Sequence, residues 1–343
     1  MHVLITGGAG FLGKALAAQL LKRGRLVGTG SSGERIDQIT LTDVGRADGF
    51  DDLRVVQVTG DIADRPLLQQ VITTQTTAIF HLAAVVSGQA EADFDLGMRV
   101  NLDGTRALLE VCRAVGHRPR VVFASSVAVY GGALPEVVLE STPLTPQTSY
   151  GTQKAIGELL VADYTRKGFV DGRSLRLPTV TVRPGKPNAA ASSFASGIIR
   201  EPVNGEESVC PVERSTRMWV ISPESAVGGF IHAHDLPGDR LGSNRSISLP
   251  GLSVTVGEMA AALERVAGRA AAARIRWERD PRITRLVDTW PGTLDANRAR
   301  ELGFPCDQNF DAIVRAYVDS LGKVLPSASK GGSLQGKSDN DVG

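Results

Sequence analysis

The chain has 343 residues, of which 42% are hydrophobic and 22% are charged, and its formal net charge at pH 7 is +1. These values are typical of a globular protein with one large domain or two closely packed ones. Lysine and arginine are dispersed along the sequence and form no basic stripe. We therefore expect a small-molecule partner and exclude a nucleic acid or an anionic membrane surface, whose binding depends on such a stripe.

The sequence MHVLITGGAG at the start shows no basic region of a secretory signal. No apolar run approaches the ~20 residues that a membrane-spanning helix needs. The three cysteines, Cys112, Cys210 and Cys306, are far apart and lack the spacing of metal ligands. We expect reduced thiols, no metal site and a cytoplasmic location.

Short apolar segments alternate with longer amphipathic segments over the first 180 or so residues. The predicted strands cover residues 2–6, 38–43, 53–60, 77–84, 120–126 and 173–182. The predicted helices lie at 11–24, 65–75, 99–116 and 149–168. Most of the strands are apolar throughout, as expected for strands covered on both faces. The alternation predicts an α/β fold with a doubly wound parallel (Rossmann) sheet.

The pattern changes after about residue 183, where proline and glycine become frequent and the helical segments shorten. We predict a first domain at 1–182 and a smaller, irregular α/β lobe at 183–325 that binds the substrate. Some segments of this lobe are expected to return to the sheet. The Gly-, Ser- and Lys-rich residues 326–343 are expected to form a flexible tail.

A glycine-rich loop, TGGAGFLG at 6–13, follows the first strand and opens the first helix. Gly7, Gly10 and Gly13 allow a tight turn, a close approach of the backbone to a pyrophosphate, and close helix packing. The alternative is a tight βα turn without a ligand. The position after the first strand favours a dinucleotide site.

The second strand ends at Asp43, whose carboxylate can accept hydrogen bonds from the ribose hydroxyls of adenosine. A carboxylate repels a 2′-phosphate, so NAD is favoured over NADP, although the nearby Arg46 leaves NADP as an alternative. Asp43 lies 30 residues after Gly13, where ~20 is usual. A loop inserted at 25–37 explains the excess.

Polar and small residues follow the third and fourth strands. Asp61 can meet the adenine amino group or, alternatively, cap the next helix, a role that Asp64 also fits. The segment HLAAVVSG at 81–88 has the small residues of a loop that passes close under a cofactor. Ser87 in this loop is within reach of a substrate.

A further cluster combines Ser125 and Ser126, at the end of a strand, with Tyr150 and Lys154, one turn apart on a helix that begins 24 residues after Ser126. Oxidation of an alcohol by hydride transfer requires the hydroxyl proton to leave. A free tyrosine, with a pKa of about 10, is a poor base at neutral pH. A lysine cation and a cationic nicotinamide both favour the phenolate, Ser126 can hold the substrate oxygen, and Lys154 can also bind the nicotinamide ribose.

The motifs TGGAGFLG, HLAA, SSVAVYGG and YGTQK, in this order, resemble the extended short-chain dehydrogenase/reductase superfamily of NAD-dependent epimerases and dehydratases. The resemblance covers about residues 1–320 and implies that Ser126, Tyr150 and Lys154 are catalytic. The NAD-binding residues that it implies are Gly7, Gly10, Phe11, Leu12, Gly13, Asp43, Asp61, Ile62, Leu82, Ala83, Ala84, Asn101, Tyr150, Lys154 and Thr179. For Asn101 the alternative is a buried amide that packs a helix.

The segments HLAAVVSGQAEADFD and RPGKPNAAASSF resemble a branch of this superfamily that oxidises D-erythronate, a four-carbon aldonic acid, at its C2 hydroxyl. The resemblance implies that Tyr150 is the base and that the product is the 2-oxo acid. Other four-carbon aldonates, D- or L-threonate, stay open as substrates. The alternatives are a nucleotide-sugar epimerase or dehydratase with tightly bound NAD, and a non-catalytic NAD sensor.

Arg183 is the first choice for the substrate carboxylate, because an arginine can bind a carboxylate through two parallel hydrogen bonds. The alternative is a structural arginine at the sheet edge. The residues predicted to bind the substrate are Ser87, Ser126, Tyr150, Arg183 and Asn188, with Ser192, Arg217 and Trp219 as further candidates.

Two features of the sequence bear on packing. His232 and His234 point to opposite sides if their segment is extended, an arrangement that suits no metal, and with Asp235 they are expected to pack the second lobe against the first domain. The superfamily resemblance implies a homodimer, in which helices at 94–115 and 150–167 pair as a four-helix bundle.

Overall fold

Strands and helices alternate along the chain in residues 1–27, 33–187 and 189–322, which are the residues described by the computed structural model. The strands are β1 (His2–Thr6), β2 (Arg25–Val27), β3 (Gly33–Arg35), β4 (Gln38–Asp43), β5 (Val55–Thr59), β6 (Thr76–His81), β7 (Arg120–Ser126), β8 (Asp171–Leu177), β9 (Thr179–Val180), β10 (Ser208–Cys210), β11 (Arg217–Ile221), β12 (Ser246–Ser248), β13 (Leu252–Thr255) and β14 (Ile275–Trp277).

The α-helices are α1 (Phe11–Arg23), α2 (Arg65–Val71), α3 (Ser87–Ala92), α4 (Phe94–Gly97), α5 (Gly104–Val115), α6 (Ser149–Arg166), α7 (Ser193–Val203), α8 (Pro223–Asp235), α9 (Val256–Ala267), α10 (Arg269–Ala272), α11 (Pro281–Val287), α12 (Asn297–Glu301) and α13 (Phe310–Ser320). A π-helical turn, Met98–Asp103, joins α4 to α5. Short 3₁₀ turns are formed by Val127–Val129 and Gly238–Leu241.

Seven of the strands form one parallel sheet in the order β12–β8–β7–β6–β1–β4–β5. Because β1 lies between β4 and β6, the chain first builds one side of the sheet and then returns to build the other. This reversal is the doubly wound arrangement, and it opens a crevice beyond the carboxyl ends of β1 and β6. The fold class predicted from the sequence is confirmed.

Helices cover both faces of this sheet. Val3 and Ile5 of β1 belong to a core cluster that includes Phe230 of α8. Leu4, which lies between them, faces the other way and packs in a cluster with Leu108 of α5. Successive residues of a strand point to opposite faces, so a strand covered on both sides must be apolar throughout. The continuous apolar runs in the sequence have this origin.

Two segments from the second half of the chain join the central layer: β12 pairs with β8, and α8 packs beside α1. The remaining elements build a smaller lobe, with a three-stranded sheet of β13, β11 and β9 and a core that contains Met218, Leu263 and Val314. The domain boundary at residue 182 stays a prediction, and the tail predicted at 326–343 lies outside the described residues. Nowhere in the described ranges is a helix long and apolar enough to cross a bilayer.

The strand predicted at 173–182 is divided into two by Pro178. Proline has no amide hydrogen and cannot continue a central ladder. β8 therefore ends at Leu177, and β9 pairs with β11 of the smaller lobe. The division matters for function, because it starts the smaller lobe directly at the carboxyl edge of the central sheet.

Residues 25–37 were predicted to form a loop. This prediction is wrong for the described residues of the segment, because β2 and β3 form an antiparallel pair. Leu26 of β2 and Ile36, just after β3, are both fully buried. Burial of these two apolar side chains gives the short strands a place in the core that a polar loop would lack. Residues 28–32 lie outside the described chain.

The segment of His232 and His234 is helical and not extended, because both lie on α8. The His234 ring packs against Phe80 of the central sheet, with 5.6 Å between ring centroids. His232 Nε2 lies 2.8 Å from the carbonyl oxygen of Leu302. Both residues thus pack in the layer that covers the sheet. Within the described ranges, no group of three or more His, Cys, Asp or Glu residues could hold a metal.

The position of Phe230 predicts that α8 is part of the central core. Phe230→Ala removes a fully buried ring and is expected to lower the free energy of unfolding by about 3–5 kcal/mol. Leu53→Ala, at a fully exposed leucine, is the control, with an expected change within about 0.5 kcal/mol. Urea unfolding followed by circular dichroism measures both. A loss below about 1 kcal/mol in Phe230→Ala would contradict this packing.

Candidate active site

A cavity of about 650 Å³ lies beyond the carboxyl ends of the central strands and is lined by residues of both halves of the chain. The predicted site residues that line it are Gly7, Gly10, Phe11, Leu12, Gly13, Asp43, Asp61, Ile62, Leu82, Ala83, Ala84, Ser87, Ser126, Tyr150, Lys154, Thr179 and Arg183. Asn101 does not line it, and Asn188 lies outside the described residues. The fold brings the predicted residues together, while their separate roles stay predictions.

The glycine loop forms the floor of one end of the cavity. Gly7 has a φ of +71°, and a Cβ on it would lie 2.7 Å from the amide nitrogen of Ala83. A Cβ on Gly13 would lie 2.2 Å from the carbonyl oxygen of Gly7. The N-cap of α1 is Gly10, no described side chain caps this helix, and its first turn holds no acidic residue. The helix therefore presents uncapped amide donors and the positive end of its dipole, which suit a pyrophosphate.

The Asp43 carboxylate is fixed at the end of β4 by two backbone amides. Ala9 donates to one oxygen at 3.1 Å, and Val44 donates to the other at 2.7 Å. An ionised carboxylate accepts about four hydrogen bonds, so it retains acceptor capacity for hydroxyl groups. Arg46, the basis of the NADP alternative, is exposed and is not among the residues that line the cavity.

The Asp61 carboxylate has partners on both of its oxygens. The Ala63 amide donates to one oxygen at 2.9 Å, and the Arg99 guanidinium pairs with the other. Burial raises the pKa of Asp61, but the Ala63 amide and Arg99 more than offset it, so the pKa lies below its ordinary value. Arg99 lines the cavity and was missed in the sequence, because only the π-helical turn directs it to Asp61.

The loop after β6 is tied from behind by a chain of hydrogen bonds through His81. Thr105 Oγ1 donates to the Asn101 carbonyl at 2.7 Å and therefore accepts from His81 Nε2 at 2.9 Å. His81 Nδ1 then carries no proton and accepts from Thr6 Oγ1 at 2.7 Å. Thr6 Oγ1 in turn accepts from the Ala83 amide at 3.2 Å. The chain fixes one neutral tautomer of the imidazole.

Asn101 holds the same loop at Val85, a few residues further along the chain. This contact matches the alternative given for Asn101, a buried amide that packs a helix. Its side chain accepts from the Val85 amide at 2.7 Å and donates to the Val85 carbonyl at 3.1 Å and to Gln153 Oε1 at 2.8 Å. These contacts use the amide fully and hold it behind the cavity wall. In this structure Asn101 contacts the loop under the cofactor site and does not line that site.

Tyr150 and Ser126 meet at the centre of the cavity. Tyr150 is the second residue of α6, whose N-cap Thr148 accepts from the Gly151 amide at 3.1 Å. Ser126, the last residue of β7, lies close enough to Tyr150 to affect its pKa. Burial raises the pKa of Tyr150 to about 12, while Ser126 and the Arg183 charge act in the opposite direction. Tyrosine in this setting is protonated at neutral pH.

Lys154 lies one turn beyond Tyr150 and is almost fully buried. Its Nζ lies 4.7 Å from the centre of the Phe123 ring and 5.7 Å from that of Tyr150. Within the described chain it makes no hydrogen bond or ion pair. Burial lowers the pKa of Lys154 to about 7, and burial together with the Lys154 charge lowers the pKa of His81 to about 3. The ammonium is thus a donor without a partner at the cavity wall.

Arg183 approaches Tyr150 from the smaller lobe. Its amide donates to Ser196 Oγ at 3.0 Å and its carbonyl accepts from Arg200 at 2.9 Å, so its backbone is fixed at both ends. Its guanidinium makes no hydrogen bond or ion pair within the described ranges. Burial and the Arg200 charge lower the pKa of Arg183, and Tyr150 acts in the opposite direction. Arg183 and Ser126 thus both lower the pKa of Tyr150, in addition to the role predicted for Lys154.

The other substrate candidates divide into two groups. Ser192 lines the cavity, whereas Arg217 and Trp219 do not. The Trp219 indole is buried and donates to the Leu249 carbonyl at 3.3 Å, and Arg217 lies near Ser253 on the neighbouring strand β13. The cavity residues from the smaller lobe that were not singled out in the sequence include Lys186, Arg200 and Trp290. Lys186 lies in the RPGKPNAAASSF segment, whereas no local motif marks Arg200 and Trp290, which reach the cavity only through the folding of the lobe.

The chemistry of one end of this cavity fits NAD. The start of α1 suits a pyrophosphate, the fixed Asp43 carboxylate suits ribose hydroxyls, and the Lys154 ammonium, which has no hydrogen-bond partner in the described part of the chain, offers a donor near Tyr150.

Comparison with known proteins agrees with this assignment. The profile of the NAD dependent epimerase/dehydratase family matches residues 3–236. The chain is 60% identical to a D-erythronate dehydrogenase of Cupriavidus necator over 322 residues, which cover 94% of this chain and 99% of that protein. It is 47% identical to a D-erythronate dehydrogenase of Haemophilus influenzae over 320 residues, which cover 93% and 99%.

A solved structure described as the nucleoside-diphosphate-sugar epimerase from Agrobacterium tumefaciens superposes with a TM-score of 0.88. It is 45% identical in sequence, and the match covers 95% of this chain and 96% of that one. The family match spans more than half of the chain, and the related sequences span almost all of it. The chain belongs to the NAD dependent epimerase/dehydratase family and is an NAD-dependent oxidoreductase.

Proposed function

We propose that the protein oxidises D-erythronate at its C2 hydroxyl and releases the corresponding 2-oxo acid. The observation that carries this proposal is the Arg183 guanidinium, which has no hydrogen-bond partner among the described residues, beside the Tyr150 and Ser126 hydroxyls in a cavity that also contains the glycine loop. The names of the two relatives with 60% and 47% identity support the choice of substrate. A small sugar acid offers the one carboxylate and the few hydroxyls that these groups can bind.

The closeness of Arg183 to Tyr150 favours C2 as the carbon that is oxidised. Each residue affects the pKa of the other, which places the guanidinium near the phenol. A carboxylate bound to Arg183 holds the adjacent carbon, C2, next to Tyr150, whereas C3 and C4 extend further into the cavity. Pairing with arginine through two hydrogen bonds also fixes the orientation of the acid. Geometry of this kind selects a 2-hydroxy acid among polyols.

Tyr150 serves as the base that accepts the C2 hydroxyl proton, and Ser126 holds the same oxygen. NAD, when bound, supplies the acceptor for the hydride that leaves C2. Because burial raises the pKa of Tyr150 to about 12, the positive charges around it have to favour the phenolate. Arg183 does so from the smaller lobe and Lys154 from α6. The rate of oxidation is therefore expected to rise as the pH rises toward the pKa of Tyr150.

A nucleotide-sugar epimerase is the second candidate, favoured by the description of the Agrobacterium tumefaciens structure. Such an enzyme returns the hydride to its substrate and shows no net redox change. Purified protein that carries stoichiometric NAD, inverts a sugar carbon and never releases NADH would support this candidate over the dehydrogenase.

We also propose a homodimer in which α4, α5 and α6 pack against their copies. Phe94 of α4 and Leu159 of α6 are large apolar side chains that are 58% and 67% exposed. Phe94 and Ile156 line one shallow surface groove, and Leu159 lies one turn further along α6. Exposed apolar groups on neighbouring helices are typical of an interface.

Turnover tests the proposed reaction directly. The protein with NAD and D-erythronate is expected to generate NADH absorbance, and Tyr150→Phe is expected to reduce kcat by about 10²–10⁴-fold, because the base is lost. Tyr164→Phe is the control, since Tyr164 pairs with Glu110 on the outer helices and does not line the cavity. Absence of turnover with D-erythronate, or full activity in Tyr150→Phe, would refute the proposal. D- and L-threonate, and NADP in place of NAD, are assayed in parallel.

Arg183→Met tests the carboxylate site. Loss of a charge-assisted pair is expected to raise the KM for D-erythronate by about 10–100-fold, with little change in the KM for NAD. Arg217→Met is the matched control, because Arg217 lies outside the cavity wall. Steady-state kinetics with each substrate varied in turn separates the two constants. An unchanged KM for D-erythronate in Arg183→Met would place the carboxylate elsewhere.

Leu159→Glu tests the dimer. A carboxylate at this exposed position is expected to weaken the interface and shift the protein to a monomer, because a charge buried there has no partner. Size-exclusion chromatography with light scattering gives the mass of each species. Val209→Glu, at an exposed valine of the smaller lobe, is the control. A wild-type protein that is monomeric at micromolar concentration would contradict the proposal.

A further inference from the structure

A buried ion pair lies directly beneath the candidate active site. Arg176 of β8 and Glu158 of α6 are both nearly inaccessible. Arg176 Nη2 donates to Glu158 Oε2 at 2.7 Å, and Arg176 Nε donates to both carboxylate oxygens at 3.0 and 3.1 Å. The pair is thus held by side-by-side hydrogen bonds, which is the strongest geometry for these two groups.

Hydrogen bonds extend from this pair to the strand that carries Ser126 and to the turn after it. Ser125 Oγ donates to Glu158 Oε1 at 2.5 Å. Arg176 Nη1 donates to the Tyr130 hydroxyl at 2.5 Å, and that hydroxyl lies 3.4 Å from Ser248 Oγ of β12. One network therefore joins β7, α6, β8 and β12 at the carboxyl edge of the sheet.

The pair occupies a particular position relative to the proposed catalytic groups. Glu158 lies one helical turn beyond Lys154 and two turns beyond Tyr150 on α6, so the three side chains share a face. Ser125, bonded to Glu158, directly precedes Ser126. A buried ion pair contributes little to stability compared with apolar side chains of the same size. Stability alone therefore does not account for a charged network at this place.

We propose that Glu158 and Arg176 are positioning residues, which hold the Ser126 strand end against the Tyr150 helix and keep the local charge beneath Lys154 balanced. The inference rests on the proposed catalytic roles of Ser126, Tyr150 and Lys154. It extends them to two residues that do not line the cavity. Because the two charges of the pair oppose each other, their net effect on the active site is small.

The charged and titratable groups that face Tyr150 and Lys154 come from several elements. Arg183 faces Tyr150 from the smaller lobe, and His81 faces Lys154 from β6. Tyr130 faces Arg176 from the 3₁₀ turn after β7. Removal of the Glu158 charge would leave the Arg176 cation uncompensated beside position 158, which lies two helical turns from Tyr150 on α6, or roughly 12 Å along the helix axis. A cation at this distance stabilises the phenolate.

The test uses Glu158→Gln, which keeps the size of the side chain but removes its charge and replaces one acceptor oxygen with an amide donor. The acid limb of the pH profile of kcat/KM is expected to move down by about one pH unit, with a fall in kcat of at least about tenfold. The double variant Glu158→Gln/Arg176→Gln restores charge balance. Its acid limb is expected to return to the wild-type position, while kcat stays low because the strand end is no longer held.

Asp171→Asn is the matched control. Asp171 begins β8 and pairs with Arg173, Arg120 and Arg245, roughly 16 Å along the strand from Arg176. The variant also leaves buried arginine charge uncompensated, but far from the cavity. It is expected to lower the thermal midpoint as Glu158→Gln does and to leave the pH profile unmoved.

A spectroscopic readout makes the result independent of the substrate. The chain has four tyrosines, so a protein labelled with ¹³C at the tyrosine ring carbon that bears oxygen gives few signals, and Tyr150→Phe identifies that of Tyr150. In the complex with NAD, Glu158→Gln is expected to lower the titration midpoint of this signal. If the wild type oxidises no aldonate, the proposed function fails while this titration still decides the present inference.

The inference is overturned if Glu158→Gln loses thermal stability with no movement of the acid limb or of the Tyr150 signal, since the pair would then be purely structural. It is also overturned if the double variant keeps the shifted limb, or if it has full kcat. Should Glu158→Gln not fold, the double variant alone decides: a low kcat with a wild-type limb supports the inference, and wild-type kinetics refute it.

Discussion

The close approach of α6 to the end of β7 is the constraint on which the candidate active site depends. A Cβ on Gly151 would lie 2.1 Å from the carbonyl oxygen of Ala128, and a Cβ on Gly157 would lie 2.7 Å from the Phe123 ring. Glycine inside a helix costs about 1 kcal/mol relative to alanine. That local cost is offset by the contact it permits, because only a helix seated this closely lets Tyr150 reach Ser126. The two glycines therefore lower the intrinsic stability of α6, but they allow the close packing that places the Tyr150 hydroxyl beside Ser126.

A second constraint acts on the opposite wall of the cavity. The loop after β6 passes so close to Gly7 that no side chain fits between them. It is held there from behind by His81 and Asn101, neither of which needs to touch a ligand. Both walls are rigid: the loop wall through hydrogen bonds of its buried polar groups, and the α6 wall through close packing. Rigid walls keep the cofactor end and the proton-transfer end of the cavity at a constant separation, which hydride transfer requires.

Much of this could be predicted from the sequence, because the signals are local. The apolar strands, the glycine loop and the spacing of Tyr150 and Lys154 depend on neighbouring residues or on periodicity. The failures have a common cause in tertiary context. Nothing local shows that residues 25–27 and 33–35 pair, or that α8 returns to the central layer and carries His232 and His234 with it. Arg183 was selected as a candidate in the RPGKPNAAASSF segment. Its electrostatic effect on Tyr150, by contrast, depends on the packing of the smaller lobe against the central sheet.

The hydrogen-bond chain through His81 has a consequence for the acid stability of the protein. The chain needs a neutral imidazole, and burial lowers the pKa of His81 from 6.5 to about 3. Between pH 6.5 and about pH 3, His81 is protonated in the unfolded chain but neutral in the folded chain. Folding therefore becomes less favourable as the pH falls. The contribution of neutral His81 to the free energy of unfolding is complete above pH 6.5 and decreases as the pH falls to about 3. The hydrogen-bond chain through His81, which fixes the loop after β6, therefore makes the stability of the fold sensitive to acid. This pH range lies far below the one in which Tyr150 titrates.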